Sequence, residues 1–174
     1  MADRCHISRG VPSLFAARVN TGLKVYDTMK AFRAPTKWLA DVSADSAATL
    51  IAAAADIALI IDQKGLICDI AFQSENFAAE FVQAESWLGK AWRTTVTVES
   101  RQKIDALVAA ANDDQPVGAQ SSQARHVNYT GARGIDIPIL FSRVALGRDG
   151  ESIAFGRDLR PLAALQQRLV DVQQ

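Results

Sequence analysis

Ile57-Ala58-Leu59-Ile60-Ile61-Asp62-Gln63-Lys64-Gly65-Leu66-Ile67-Cys68-Asp69-Ile70-Ala71-Phe72 is the stretch that decides the fold. The run Ile57 to Ile61 is short, apolar and rich in β-branched side chains, which suits a strand covered on both faces. Asp62-Gln63-Lys64-Gly65 reads as a hairpin turn, because Gly65 can take the left-handed backbone conformation. Leu66, Cys68, Ile70 and Phe72 then alternate with Ile67, Asp69 and Ala71, so a second strand follows. Cys68 is expected to sit there as a small apolar residue on a buried strand face.

Upstream of this hairpin, Ala44 to Ala55 is dominated by Ala and Leu and predicts a closely packing helix, with Asp41 or Ser43 offering a capping oxygen. Downstream, Phe77, Phe81 and Trp87 lie in a stretch of short helical turns. A longer helix is expected from about Val98 to Ala111, with Thr97 as its cap and Ile104, Leu107, Val108 and Ala111 on one face. Residues 112–122 are polar, contain Pro116 and Gly118, and read as a loop. Three strands follow: His126 to Tyr129, a long one carrying Ile135, Ile137, Ile139 and Phe141, and Ser152 to Phe155. Along the long strand the apolar phase shifts to Val144 and Leu146, and Pro138 cannot donate to a ladder, so a bulge or an edge is expected. Two β runs flanking a helical middle give an α+β domain: one antiparallel sheet of about five strands with helices on one face.

After Phe155 the pattern changes. Asp158 or Arg160 precedes Pro161, and proline suits a first helical turn because its missing N–H is not needed there. Leu162, Leu165, Leu169 and Val172 recur at spacings of three, four and three, forming a seam flanked by Gln166, Gln167 and Arg168. A helix from Pro161 to Gln174 is about 21 Å long at ~1.5 Å per residue, near the limit for an isolated helix. It needs a partner: either its own sheet, by folding back, or the same helix of a second chain. The seam is still running at Gln174, which leads to the expectation of a fragment or of a linker to further domains.

Composition sets bounds on function. The chain has 174 residues, 49% hydrophobic and 22% charged, and its 19 Lys plus Arg balance 19 Asp plus Glu. No global basic field exists to hold nucleic acid, so a phosphate-binding surface would have to be local. Basic residues do gather before Trp38, where seven Lys and Arg from Arg4 to Lys37 face only Asp3 and Asp27. Residues 1–40 are expected to be a partly disordered extension, 41–158 the folded domain and 159–174 the start of the Gln-rich linker helix. No apolar run approaches the roughly 20 residues of a membrane helix, and no secretory signal is evident, so a cytoplasmic location is expected.

Catalytic chemistry is not written in the chain. His6 and His126 are the only histidines and stand far apart, without metal-ligand spacing around either. No Gly-x-Ser-x-Gly, Walker or Gly-x-Gly-x-x-Gly pattern occurs, and the Asn-Cys-Arg motif of flavin photosensors of the LOV type is missing. Asp113-Asp114 reads as a solvated loop, His126 as a surface residue at a strand start, and Trp87 and Trp92 as core. The reading is therefore of a non-enzyme without catalytic, cofactor or metal residues.

Leu50-Ile51-Ala52-Ala53-Ala54-Ala55-Asp56-Ile57-Ala58-Leu59, the Gln63-Lys64-Gly65 turn, Phe155-Gly156-Arg157-Asp158-Leu159-Arg160-Pro161-Leu162 and the Gln-rich Leu165-Gln166-Gln167-Arg168-Leu169-Val170 resemble one known family. It is the N-terminal PAS-like domain of the PpsR/CrtJ repressors of photosynthesis genes in purple bacteria. The resemblance runs from roughly Leu39 to Gln174. It implies a non-catalytic sensory and oligomerisation module whose Gln-rich helix leads to further PAS domains and a DNA-binding helix-turn-helix, neither included in this chain. It also implies homodimers or higher oligomers and a possible antirepressor or bacteriophytochrome partner, with haem or flavin binding as the alternative function. Leu162, Leu165, Leu169 and Val172 would form the dimer seam, and Asp158 and Arg160 the hinge between sheet and helix.

Overall fold

The computed structural model describes residues 32–110, 123–146 and 149–174. The expectations placed on residues 1–31, on Ala111, on the 112–122 loop and on Gly147-Arg148 lie outside the described residues. A short helix α1 (Pro35–Leu39) precedes α2 (Ala44–Ala54), whose first turn is capped by the Ser43 hydroxyl accepting from the Ser46 N–H at 3.1 Å. Of the two candidate caps, Asp41 and Ser43, it is the serine that serves.

The hairpin forms as its sequence dictates. Strand β1 (Ile57–Ile61) pairs antiparallel with β2 (Ile67–Phe72). In the turn between them Gly65 has φ +83°, and the Asp62 carboxylate accepts from the N–H groups of Lys64 and Leu66. An Asx turn and a left-handed glycine thus share the work of reversing the chain. The register slips by one residue between Ile60, opposite Asp69, and Ile61, opposite Ile67. Cys68 is the extra residue, and it is exposed. This corrects the expectation of a buried thiol: a bulge leaves its extra residue unpaired and re-aims the side chain, which alternation alone cannot show.

The chain then crosses the inner face of the sheet through α3 (Glu75–Ala78), 3-10 turns at Ala84–Trp87, Trp92–Thr94 and Val98–Ser100, and α4 (Arg101–Ala109). Thr97 does not cap this helix through its side chain; its hydroxyl donates to Ser100 Oγ, which in turn accepts from the Asn128 N–H at 2.8 Å and so ties the helix start to the sheet. Three strands complete the sheet, β3 (Arg125–Thr130), β4 (Asp136–Ala145) and β5 (Ser152–Asp158), in the order β2-β1-β5-β4-β3, all antiparallel. The α+β expectation and its five strands hold. Helix α2, which enters before β1, lies over the other face of the sheet, where Ala48 and Ile51 border a shallow cleft with Ala58, Ile60 and Ile153.

Strand β4 departs from its expected course. It has neither bulge nor edge: it runs between β3 and β5 in unbroken register. Its inward side is Ile137, Ile139, Phe141, Arg143 and Ala145, all buried. The apparent phase shift came from a charged residue standing at an inward position. Arg143 is 3% exposed, its Nε donates to Ser152 Oγ at 2.6 Å, and its Nη1 donates to the Leu107 carbonyl near the end of α4. The negative end of the helix dipole accepts a cation there. Pro138 is tolerated because no donor is required of it: its carbonyl takes the Leu159 N–H at 3.0 Å, while the Leu159 carbonyl accepts from the Ala163 N–H of the helix that follows.

Candidate output helix and its root

The inner layer is aromatic. Trp87, Trp92, Tyr129, Phe81 and Phe141 are all buried between sheet and helices. Trp87 stacks on Tyr129 with ring centres 4.9 Å apart, and Trp92 meets Phe141 edge to face at 5.0 Å. The Trp92 indole N–H donates to the Tyr129 hydroxyl at 2.9 Å, which satisfies two polar atoms that burial would otherwise strand. Burial pushes the Tyr129 phenol well above its ordinary range, so it remains a protonated core group.

These rings fill the layer between sheet and helices. Trp87 and Trp92 are core, as the sequence suggested, and not the walls of a vacant pocket. His126 sits exposed on β3, with Nε2 3.2 Å from Asn128 Oδ1, rather than among the core rings. The described residues therefore bring no histidine into this layer as a haem ligand. Among the described residues no set of three or more His, Cys, Asp or Glu is placed to hold a metal ion.

The feature that remains is α5 (Arg160–Gln173). None of its residues is buried. Leu162, Leu165 and Leu169 are 54%, 57% and 65% exposed and Val172 is 85% exposed, so the helix does not fold back over its own sheet. The seam residues do fall on one side of the helix, while Gln167, on the opposite side, donates to the Asp171 carboxylate at 3.0 Å. Leu39, Val42 and Leu50 of the N-terminal helical region add further exposed apolar area.

At the root of α5 the two expected hinge residues are brought together. One carboxylate oxygen of Asp158 accepts from the Arg160 backbone N–H at 2.9 Å. The guanidinium of Arg160 donates from Nε and Nη2 to the same carboxylate, at 3.0 and 2.8 Å. Asp158 therefore satisfies the first N–H of the helix and grips its first side chain in a fork. The backbone N–H of Asp158 donates to the Asp56 carboxylate at 2.7 Å, and Arg160 Nη1 donates to the Glu80 carboxylate. The Asp158 and Glu80 carboxylates push the Arg160 pKa upward, Asp158 contributing most. Sequence reasoning missed Asp56 and Glu80. Asp56 showed only as an interruption between helix and strand, and nothing local marks Glu80, which meets Arg160 from 80 residues away.

No protein-family model matches the sequence. Protein CrtJ of Rhodobacter capsulatus is 30% identical over 132 residues, which cover 76% of this chain and 26% of that protein. The chain thus spans about a quarter of the length of the curated relative it matches. Among solved structures, the PAS domain of an HTR-like protein from Haloarcula marismortui is similar with a TM-score of 0.47 and 16% identity, covering 66% of this chain and 97% of that one. A domain of a sensory box sensor histidine kinase/response regulator from Geobacter sulfurreducens gives 0.47 and 17%, covering 66% and 92%. With the sheet order β2-β1-β5-β4-β3 and the helical crossing between β2 and β3, the chain is an α+β domain of PAS-like fold, and over 132 residues its sequence is similar to that of Protein CrtJ.

Proposed function

We propose that the chain is the sensory and self-association module of a transcriptional repressor of photosynthesis genes, and that it acts without catalysis. One observation carries this reading: among the described residues none covers the seam Leu162, Leu165, Leu169 and Val172, which projects on a helix that starts at the last strand of the sheet. An amphipathic helix of 14 residues is marginal alone, and pairing with the same helix of a second chain buries its apolar stripe. The homodimer then relays a change in the sheet to the helices through Asp158 and Arg160, where a small rotation at the root becomes a large displacement at the tip.

Contact with DNA is assigned to a helix-turn-helix elsewhere in the regulator, which agrees with the zero net charge of this segment. An antirepressor or a bacteriophytochrome is the kind of partner that would bias the dimer. Among the described residues no helix is long and apolar enough to cross a membrane, and a cytoplasmic site of action fits that.

Sedimentation of the chain with and without residues 161–174 tests the reading. The full chain is expected to run as a dimer at micromolar concentration and the shortened one as a monomer. Two monomers would overturn it.

A further inference from the structure

We infer that Glu80 is a positioning residue for the output helix: its ion pair with Arg160 fixes the direction in which α5 leaves the domain. The inference rests on the reading of α5 as the output helix and adds the device that controls it.

Because α5 has no buried residue, its direction is set at its first turn. There Asp158 and Arg160 alone would hold the helix only to the end of its own strand, since they are two residues apart. Glu80 supplies the bond to a separate element. Its backbone is itself pinned, the N–H donating to the Phe77 carbonyl at 3.1 Å and the carbonyl accepting from Ala132 in the β3–β4 turn at 2.7 Å. The Arg160 guanidinium also lies 6.0 Å from the centre of the Phe77 ring. Movement of α3 or of the β3–β4 turn therefore reaches Arg160 through one carboxylate.

The two arms of the fork differ in strength. Asp158 is gripped by several bonds and its side chain is 13% exposed, whereas that of Glu80 is 44% exposed. A half-exposed pair is weak and screened by salt, so it is the arm that opens first. The pair also borders an open cleft lined by Asn76, Ala132, Arg133 and Asp136, which leaves it accessible from solvent. Release of Glu80 leaves the domain folded and α5 held only at its root, by the Asp158 carboxylate and by the bond from the Leu159 N–H to the Pro138 carbonyl, so that its far end can swing.

The test uses the full chain with Cys5→Ser, nitroxide labels on the exposed Cys68 and on Gln174→Cys, and dilution with unlabelled chain so that only intrachain distances are read. The parent is expected to give a single narrow distance distribution. Glu80→Gln is expected to lose that narrow peak with no change in the thermal unfolding midpoint, and Glu75→Gln, outside the clamp, to keep it. Arg160→Lys, which keeps the charge but cannot fork between two carboxylates, is expected to lose it as well. A narrow peak retained in both Glu80→Gln and Arg160→Lys overturns the inference. Sedimentation of the same samples separates the two readings. A dimer whose distribution ignores both substitutions retains α5 pairing and sinks the clamp; a monomer whose distribution responds retains the clamp and sinks the pairing.

Discussion

Gly156 stands where three strands converge, and its lack of a side chain is what allows them to. A Cβ built there would lie 2.5 Å from Ile57 Cγ2 and 2.8 Å from both Ile139 Cγ2 and Phe141 Cε1. These are buried core atoms without room to retreat, so Gly156→Ala is expected to destabilise the domain by about 3 kcal/mol, read from chemical denaturation. Tyr129 makes a second prediction at this scale. Burial raises its phenol pKa above the ordinary 10.0, so the native state holds the proton more tightly than the unfolded chain does. Its contribution is fully present below that ordinary value and is lost as pH rises from there toward the native value. Denaturation across this alkaline range should show a decline that Tyr129→Phe partly removes. At neutral pH the same substitution should cost about 1 kcal/mol, because the Trp92 N–H loses its acceptor.

Among the elements, β4 and α4 are joined by a buried cation, and the join predicts a pattern rather than a single loss. Arg143→Met leaves the fully buried Ser152 hydroxyl without its partner and should cost about 2 kcal/mol. Adding Ser152→Ala removes the stranded group, so the double variant should be more stable than the single one; equal or greater loss in the double would refute this reading of the pair. The same residue explains where sequence reasoning stopped. A β-branched apolar run located β1, Gly65 its turn and period-two alternation β2, and the three-four-three spacing of Leu162, Leu165, Leu169 and Val172 located α5. Alternation counts apolar side chains, so an inward Arg143 looked like a change of phase, and the one-residue slip that exposes Cys68 left no trace at all. For the candidate site the division is similar. Asp158 and Arg160 are neighbours on the chain and could be grouped by eye, while Asp56 and Glu80 join them only once the sheet has brought distant segments to one corner.

At the scale of the whole molecule, the filled aromatic layer and the uncovered helix bear on one question. The inner face of the sheet is packed with Trp87, Trp92 and Tyr129, whereas the root of α5, the cleft beside Glu80 and the seam are open to solvent, and the proposed function rests on these. Self-association through that seam is a claim about four side chains on one side of a 14-residue helix. It is tested most directly by sedimentation velocity of the chain carrying Leu165→Glu and Leu169→Glu, beside Gln167→Glu on the opposite side of the same helix. The seam variant is expected to run as a monomer at concentrations where the parent and Gln167→Glu run as dimers. Dimers that persist undiminished in the seam variant would contradict pairing through α5.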